Sequence, residues 1–100
     1  MYNMNNLKKF AKLGELAPDA FKAFVAFDEA VVKYGVMPLK YKELIAVAVA
    51  LTTQCPYCIE IHAKKAKAAG CTDAEIAETV VVAAALRAGG AITHGTHAIG

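Results

Sequence analysis

One hundred residues give room for one domain, residues 1–100, and a formal charge of +2 makes no electrostatic demand for nucleic acid. Ten of the eleven cations are lysines and Arg87 is the sole arginine; phosphate and base-edge recognition both favour arginine, so no nucleic-acid partner is expected. Hydrophobic residues make up 57% of the chain, more than so small a core hides, so a homo-oligomer with shared apolar helix faces is expected.

In chain order, nearly every segment reads as helix, since Ala, Leu, Lys and Glu dominate and no hairpin signal occurs. The fold class expected is an all-α single-domain bundle of about five to six helices. A short first helix covers roughly residues 6–13 and ends at Gly14. Pro18 suits the first turn of a second helix, whose stripe of Phe21, Phe24, Val25 and Val32 is interrupted by Asp28, and Gly35 stops it. Pro38 opens a third helix to about Thr53. Its run from Leu44 to Leu51 is apolar all round, so it is either central or at an interface. A fourth helix follows the Cys55–Cys58 turn and closes at Gly70. Thr72 and Glu75 form a capping box for the fifth. Gly89-Gly90 is expected to break that helix, leaving a short terminal one over residues 91–98 with His94 and His97.

The chemistry concentrates in Cys55-Pro-Tyr-Cys58-Ile-Glu-Ile-His62. On a helix these offsets set both thiols and the imidazole along one face. Cys55 falls at a helix N-terminus, where free N–H groups stabilise a thiolate, and Pro56 stiffens the first turn. The spacing permits disulfide closure. His62 can take a thiol proton or, once charged, stabilise a thiolate. Glu43 lies in the first turn of the third helix and reaches His62 only if the fourth helix folds back. Helix-end electrostatics favour Cys55 as the acidic thiol, whereas proximity to His62 favours Cys58.

Three cysteines are an odd count and too few for a secreted disulfide scaffold. Cys71, beside Gly70, reads as a packed small residue. The first ten residues hold no apolar leader segment, and no uninterrupted apolar run approaches the ~18 residues of a membrane span. A cytoplasmic protein with no membrane partner is expected. Lys64, Lys65 and Lys67 read as the solvated side of a helix.

The order Glu43-x11-Cys55-x2-Cys58-x3-His62 resembles the signature of the carboxymuconolactone decarboxylase-like superfamily, and more closely its alkylhydroperoxidase D-like (AhpD-like) branch. The segments from Leu39 to Ala50 and from Arg87 to His97 are also similar, and the likeness covers roughly residues 15–98. The resemblance implies an all-α fold and an obligate homo-oligomer, a trimer or hexamer. It implies a peroxidase in which the Cys58 thiolate attacks a hydroperoxide and Cys55 then condenses with the Cys58 sulfenic acid, so that Cys55 and Cys58 form the redox-active disulfide. Glu43 and His62 would form the proton relay. Electrons would come from an external dithiol donor, lipoyl-type or other, with no bound cofactor and no metal. The chain departs from fuller-length peroxidases of that branch in carrying Tyr57 where they have a histidine between the cysteines, and in being a single unit. The decarboxylase branch lacks the cysteine pair, so lactone decarboxylation is not expected.

Two other readings stand beside this one. Cys-Pro-Tyr-Cys is also the glutaredoxin tetrapeptide, which points to general thiol–disulfide exchange, but that fold places it after a strand. Cys55, Cys58 and His62 with His94 or His97 would make a zinc-binding structural oligomer.

Overall fold

The computed structural model describes residues 2–33 and 35–100. Among them are five α-helices, two short 3-10 turns and no strand, so the all-α class stands. The chain divides into two compact units, Met1–Leu39 and Lys40–Gly100.

In the first unit a 3-10 turn, Met4–Lys9, leads into α1 (Phe10–Leu16), and α2 (Pro18–Val31) follows with Pro18 in its first turn. Gly14 was expected to end the first helix, yet α1 runs through it to Leu16. Its role is steric: a Cβ there would meet the Phe21 ring at 3.1 Å, and the bare backbone lets that ring approach. The Phe21 ring centroid lies 5.9 Å from that of Phe10 and 6.5 Å from that of Phe24, within the range of favourable aromatic pairs. α2 ends at Val31, ahead of Gly35.

The second unit holds α3 (Leu39–Thr53), α4 (Pro56–Ala68), α5 (Asp73–Gly95) and a final 3-10 turn, Thr96–Ala98. Its core is small: Val47, Ala66 and Cys71 are buried, with Leu44, Leu51 and Ile76 packed against them. Polar contacts tie α3 to α5 around this core. The Cys71 thiol donates to the Lys40 carbonyl at 3.6 Å, and Lys40 Nζ pairs with Glu75 at 2.8 Å. The Thr72–Glu75 capping box forms in both directions.

α4 ends at Gly70, whose φ of +95° suits glycine. The Cys71 N–H then reaches the Ala66 carbonyl at 2.9 Å and the Gly70 N–H reaches that of Lys67 at 3.0 Å, the paired bonds of a Schellman stop. Gly89-Gly90, by contrast, does not break α5, which is continuous to Gly95. A glycine in a helix interior costs only about 1 kcal/mol relative to alanine, and the alanine-rich flanks keep the ladder running. The separate terminal helix reduces to the 3-10 turn at Thr96–Ala98.

Much of the apolar surface of α3 and α5 lies open: Val49 is 53% and Leu86 69% exposed. The stretch Asp73–Ala98 is long and apolar enough, by length and composition, to cross a membrane. Its inner side nevertheless packs on protein, through Ile76 in the core and the buried Ala83.

Candidate active site

The thiol pair sits where α3 hands over to α4. Gln54 adopts φ +56°, a left-handed conformation unusual for a residue with a Cβ. It lets the Cys55 N–H reach back to the Ala50 carbonyl at 3.0 Å, the same kind of stop that Gly70 provides for α4. Cys55 then begins the next helix. Its Sγ accepts the Cys58 N–H at 3.3 Å and its carbonyl accepts the Ile59 N–H at 3.0 Å, while Pro56 occupies the first turn. One residue thus closes α3 and caps α4, with N–H, C=O and Sγ all engaged.

Both thiols are free and partly buried, and their sulfurs, which share a hydrogen bond, lie 2.6 Å apart. The hydrogen bond from the Cys58 side chain, helped by the Cys58 and Tyr57 backbone, holds the Cys55 thiol below the ordinary thiol range against the opposing effect of burial. The helix start therefore favours Cys55 as the resting thiolate.

His62 lies one turn beyond Cys58 on α4, on the same face. Its Nδ1 is 2.8 Å from Glu43 Oε2. Glu43 is 1% exposed, the largest fully buried side chain among the described residues. The reversal at Gln54 sends α4 back along α3, and this return is what joins two residues nineteen positions apart. An ionised carboxylate accepts only, so Nδ1 is the donor in this bond. No buried side-chain nitrogen or oxygen among the described residues lacks a partner. The arrangement supplies a dithiol able to close, a cap that stabilises a thiolate, and an oriented imidazole one turn away.

The remaining candidates lie elsewhere. Cys71 is buried, and burial pushes its thiol up; it belongs to the core. His94 and His97 stack near each other at the end of α5, with ring centroids 5.9 Å apart. Among the described residues no three His, Cys, Asp or Glu side chains gather as a metal site, so the histidine pair is not brought to the thiols. Lys64, Lys65 and Lys67 are exposed, and Lys67 pairs with Asp73 at 3.5 Å.

Sequence reasoning missed two residues. Gln54 carries no mark of a left-handed turn. Arg87 donates from Nη1 to the Thr52 carbonyl at 2.7 Å, holding the last turn of α3 just before the thiols. Its status as the sole arginine in an alanine-rich helix was the available signal.

Comparison with known proteins places this geometry among relatives. The model of the Carboxymuconolactone decarboxylase family matches residues 18–99. The Paracoccus denitrificans protein named "Uncharacterized protein 4 in cox locus" is 41% identical over 102 residues, covering 99% of this chain and 92% of its own length. An uncharacterized protein of Cupriavidus necator is 33% identical, over 75% of this chain and 66% of its own. A crystal structure of a protein from Methanobacterium thermoautotrophicum superposes with a TM-score of 0.80 at 36% identity, over 86% of this chain and 97% of the other.

Proposed function

Because the chain belongs to the carboxymuconolactone decarboxylase family, which includes enzymes, we propose that it is an AhpD-like, dithiol-dependent peroxidase. The observation that carries this reading is the free Cys55–Cys58 pair, sulfurs 2.6 Å apart, on the helix that also bears an imidazole held by a buried carboxylate.

The reaction divides into three balanced steps. His62 Nε2 takes the Cys58 thiol proton and the thiolate so formed attacks the terminal peroxide oxygen; the O–O bond breaks, Cys58 becomes a sulfenic acid, and the alkoxide leaves with that proton, returned from His62. Cys55 then attacks the Cys58 sulfur, expelling water and closing the disulfide. An external dithiol, of lipoyl type or similar, attacks that disulfide and returns both thiols, leaving as its own disulfide. The low Cys55 thiol has its use in this last step, because a more acidic thiol leaves faster. Glu43 acts by keeping the His62 proton on Nδ1. The enzyme works as a homo-oligomer in the cytoplasm and needs no bound cofactor.

The test is peroxide consumption by purified protein supplied with dihydrolipoamide, compared with Cys58→Ser. Turnover that vanishes in the variant is the expected result; unchanged turnover in Cys58→Ser overturns the reading. The same acidic Cys55 also suits a thiol–disulfide oxidoreductase. Glutathione-dependent disulfide reduction with no peroxide turnover would favour that second reading.

A further inference from the structure

Arg87 stands where the pattern of α5 calls for an apolar side chain. Ile76, Val80 and Ala83 precede it at steps of four and three residues, the spacing of one helix face. Ile76 packs on the core and Ala83 is buried. The next place on that face holds the sole arginine of the chain. With Leu51, Thr52, Val80, Ala83 and Ala84 it lines a hollow of about 190 Å³. A leucine or methionine would fill that place without carrying a charge to it. What the arginine adds is its head, whose Nη1 donates to the Thr52 carbonyl at 2.7 Å.

That carbonyl is one of the last four of α3, which no N–H of the helix satisfies, and a cation suits the negative end of the helix dipole. Cys55 follows three residues later. Between them Gln54 holds φ +56°, a conformation that persists only where its surroundings over-determine it. Three bonds brace the stretch. Thr53 Oγ1 donates to the Val49 carbonyl at 2.9 Å, the Cys55 N–H donates to the Ala50 carbonyl at 3.0 Å, and Arg87 donates to Thr52. The first two belong to the turn itself and loosen with it. Of the three, only the Arg87 bond reaches in from another helix.

We propose that Arg87 is a positioning residue for the dithiol: by pinning Thr52 it fixes the turn that holds Cys55 against Cys58, and so sets the effective concentration of one sulfur at the other. The Cys58 sulfenic acid then has two fates. In one, the Cys55 thiol attacks its sulfur, the S–O bond breaks, and a disulfide and water form. In the other, a second hydroperoxide gives up its terminal oxygen, leaving a sulfinic acid and an alcohol. The first rate depends on how Cys55 is held and the second does not, so Arg87 keeps the oxidised protein on the reversible branch. This partition rests on the peroxidase reading; the dithiol–disulfide equilibrium does not.

Wild type, Arg87→Met and Ile76→Val are equilibrated with reduced and oxidised glutathione, alkylated and read by mass spectrometry, which gives the effective concentration without any peroxide. Arg87→Met keeps an apolar stem and removes the donor. It should lower the effective concentration by about three- to tenfold, a rise of about 14–30 mV in reduction potential. Ile76→Val loosens the core away from the turn; it should lower the thermal midpoint and leave the effective concentration unchanged. In a second assay, the hydroperoxide concentration that diverts half of Cys58 to sulfinic acid should fall in Arg87→Met by the same factor. A folded Arg87→Met at the wild-type value in the glutathione assay, or an Ile76→Val shift as large as that of Arg87→Met, overturns the proposal. Should Arg87→Met not fold by circular dichroism, Arg87→Gln is held to the same outcomes. A glutathione shift in a protein that turns over no peroxide would overturn the peroxidase reading and support the role of Arg87.

Discussion

Replacing Glu43 with glutamine changes a charge and almost nothing else. The side chain is 1% exposed and its oxygen lies 2.8 Å from His62 Nδ1. The carboxylate can only accept, so Nδ1 is the donor, and in a neutral imidazole so held Nε2 is the nitrogen that takes a proton. An amide can donate as well; with its NH₂ toward Nδ1, the imidazole is driven to the other tautomer and Nε2 is no longer a base. A hydrogen bond to a charged group contributes about 1.5–3 kcal/mol, against about 0.5–1.5 for a neutral one. Glu43→Gln should therefore lose about 1 kcal/mol, a fall in Tm of about 4–8 °C for a chain of this size. The chemical loss should be far larger, about 10²–10⁴-fold, as when a positioned base is removed or held in the wrong tautomer. The assay is single-turnover oxidation of the thiols by excess peroxide, quenched by alkylation and read by mass spectrometry, with thermal melts in parallel. Glu43→Gln oxidising within threefold of wild type would falsify the relay and reduce the pair to a strut between α3 and α4.

Other outcomes follow from the same contacts. The alkylation midpoint of Cys55 should lie below the ordinary thiol range in Cys58→Ser, where a hydroxyl still donates, and closer to ordinary in Cys58→Ala; equal midpoints would show that the side-chain bond does not hold the thiol down. Cys71 has its thiol raised by burial in the folded chain, so the stability it contributes is whole below the unfolded thiol pKa and is lost as pH rises from there through the folded value. Urea midpoints should thus fall more steeply into alkaline pH for the wild type than for Cys71→Ala, and parallel curves would contradict this. Gln54→Gly should stabilise the chain by about 0.5–1 kcal/mol by relieving the left-handed strain; a lower urea midpoint would show that the glutamine side chain does more than endure its φ.

Local signals were legible in the sequence because local physics sets them. Pro18 and Pro56 open helices, Thr72 and Glu75 cap one, and Cys55 sits at a helix start, since each depends on neighbours within one turn. The Glu43–His62 contact was not legible, because it depends on how α4 crosses α3. Gly14 and Gly89-Gly90 misled for one reason: glycine marks a helix end only when a positive φ is needed, as at Gly70, and elsewhere marks close approach or open space. Gln54 did the work of a glycine without looking like one. The apolar run in α3 announced burial without saying what would bury it.

Cys55 is the last link of one helix and the first of the next, and everything the proposed chemistry uses lies between Glu43 and His62 on that single hairpin. Base holder, base, both sulfurs and the hinge form one uninterrupted stretch of sequence. Such a stretch is portable. It can be copied, duplicated within a gene, or spliced onto another pair of antiparallel helices without recruiting a residue from elsewhere, provided the host supplies a ridge to steady the hinge, as Arg87 does here for Thr52.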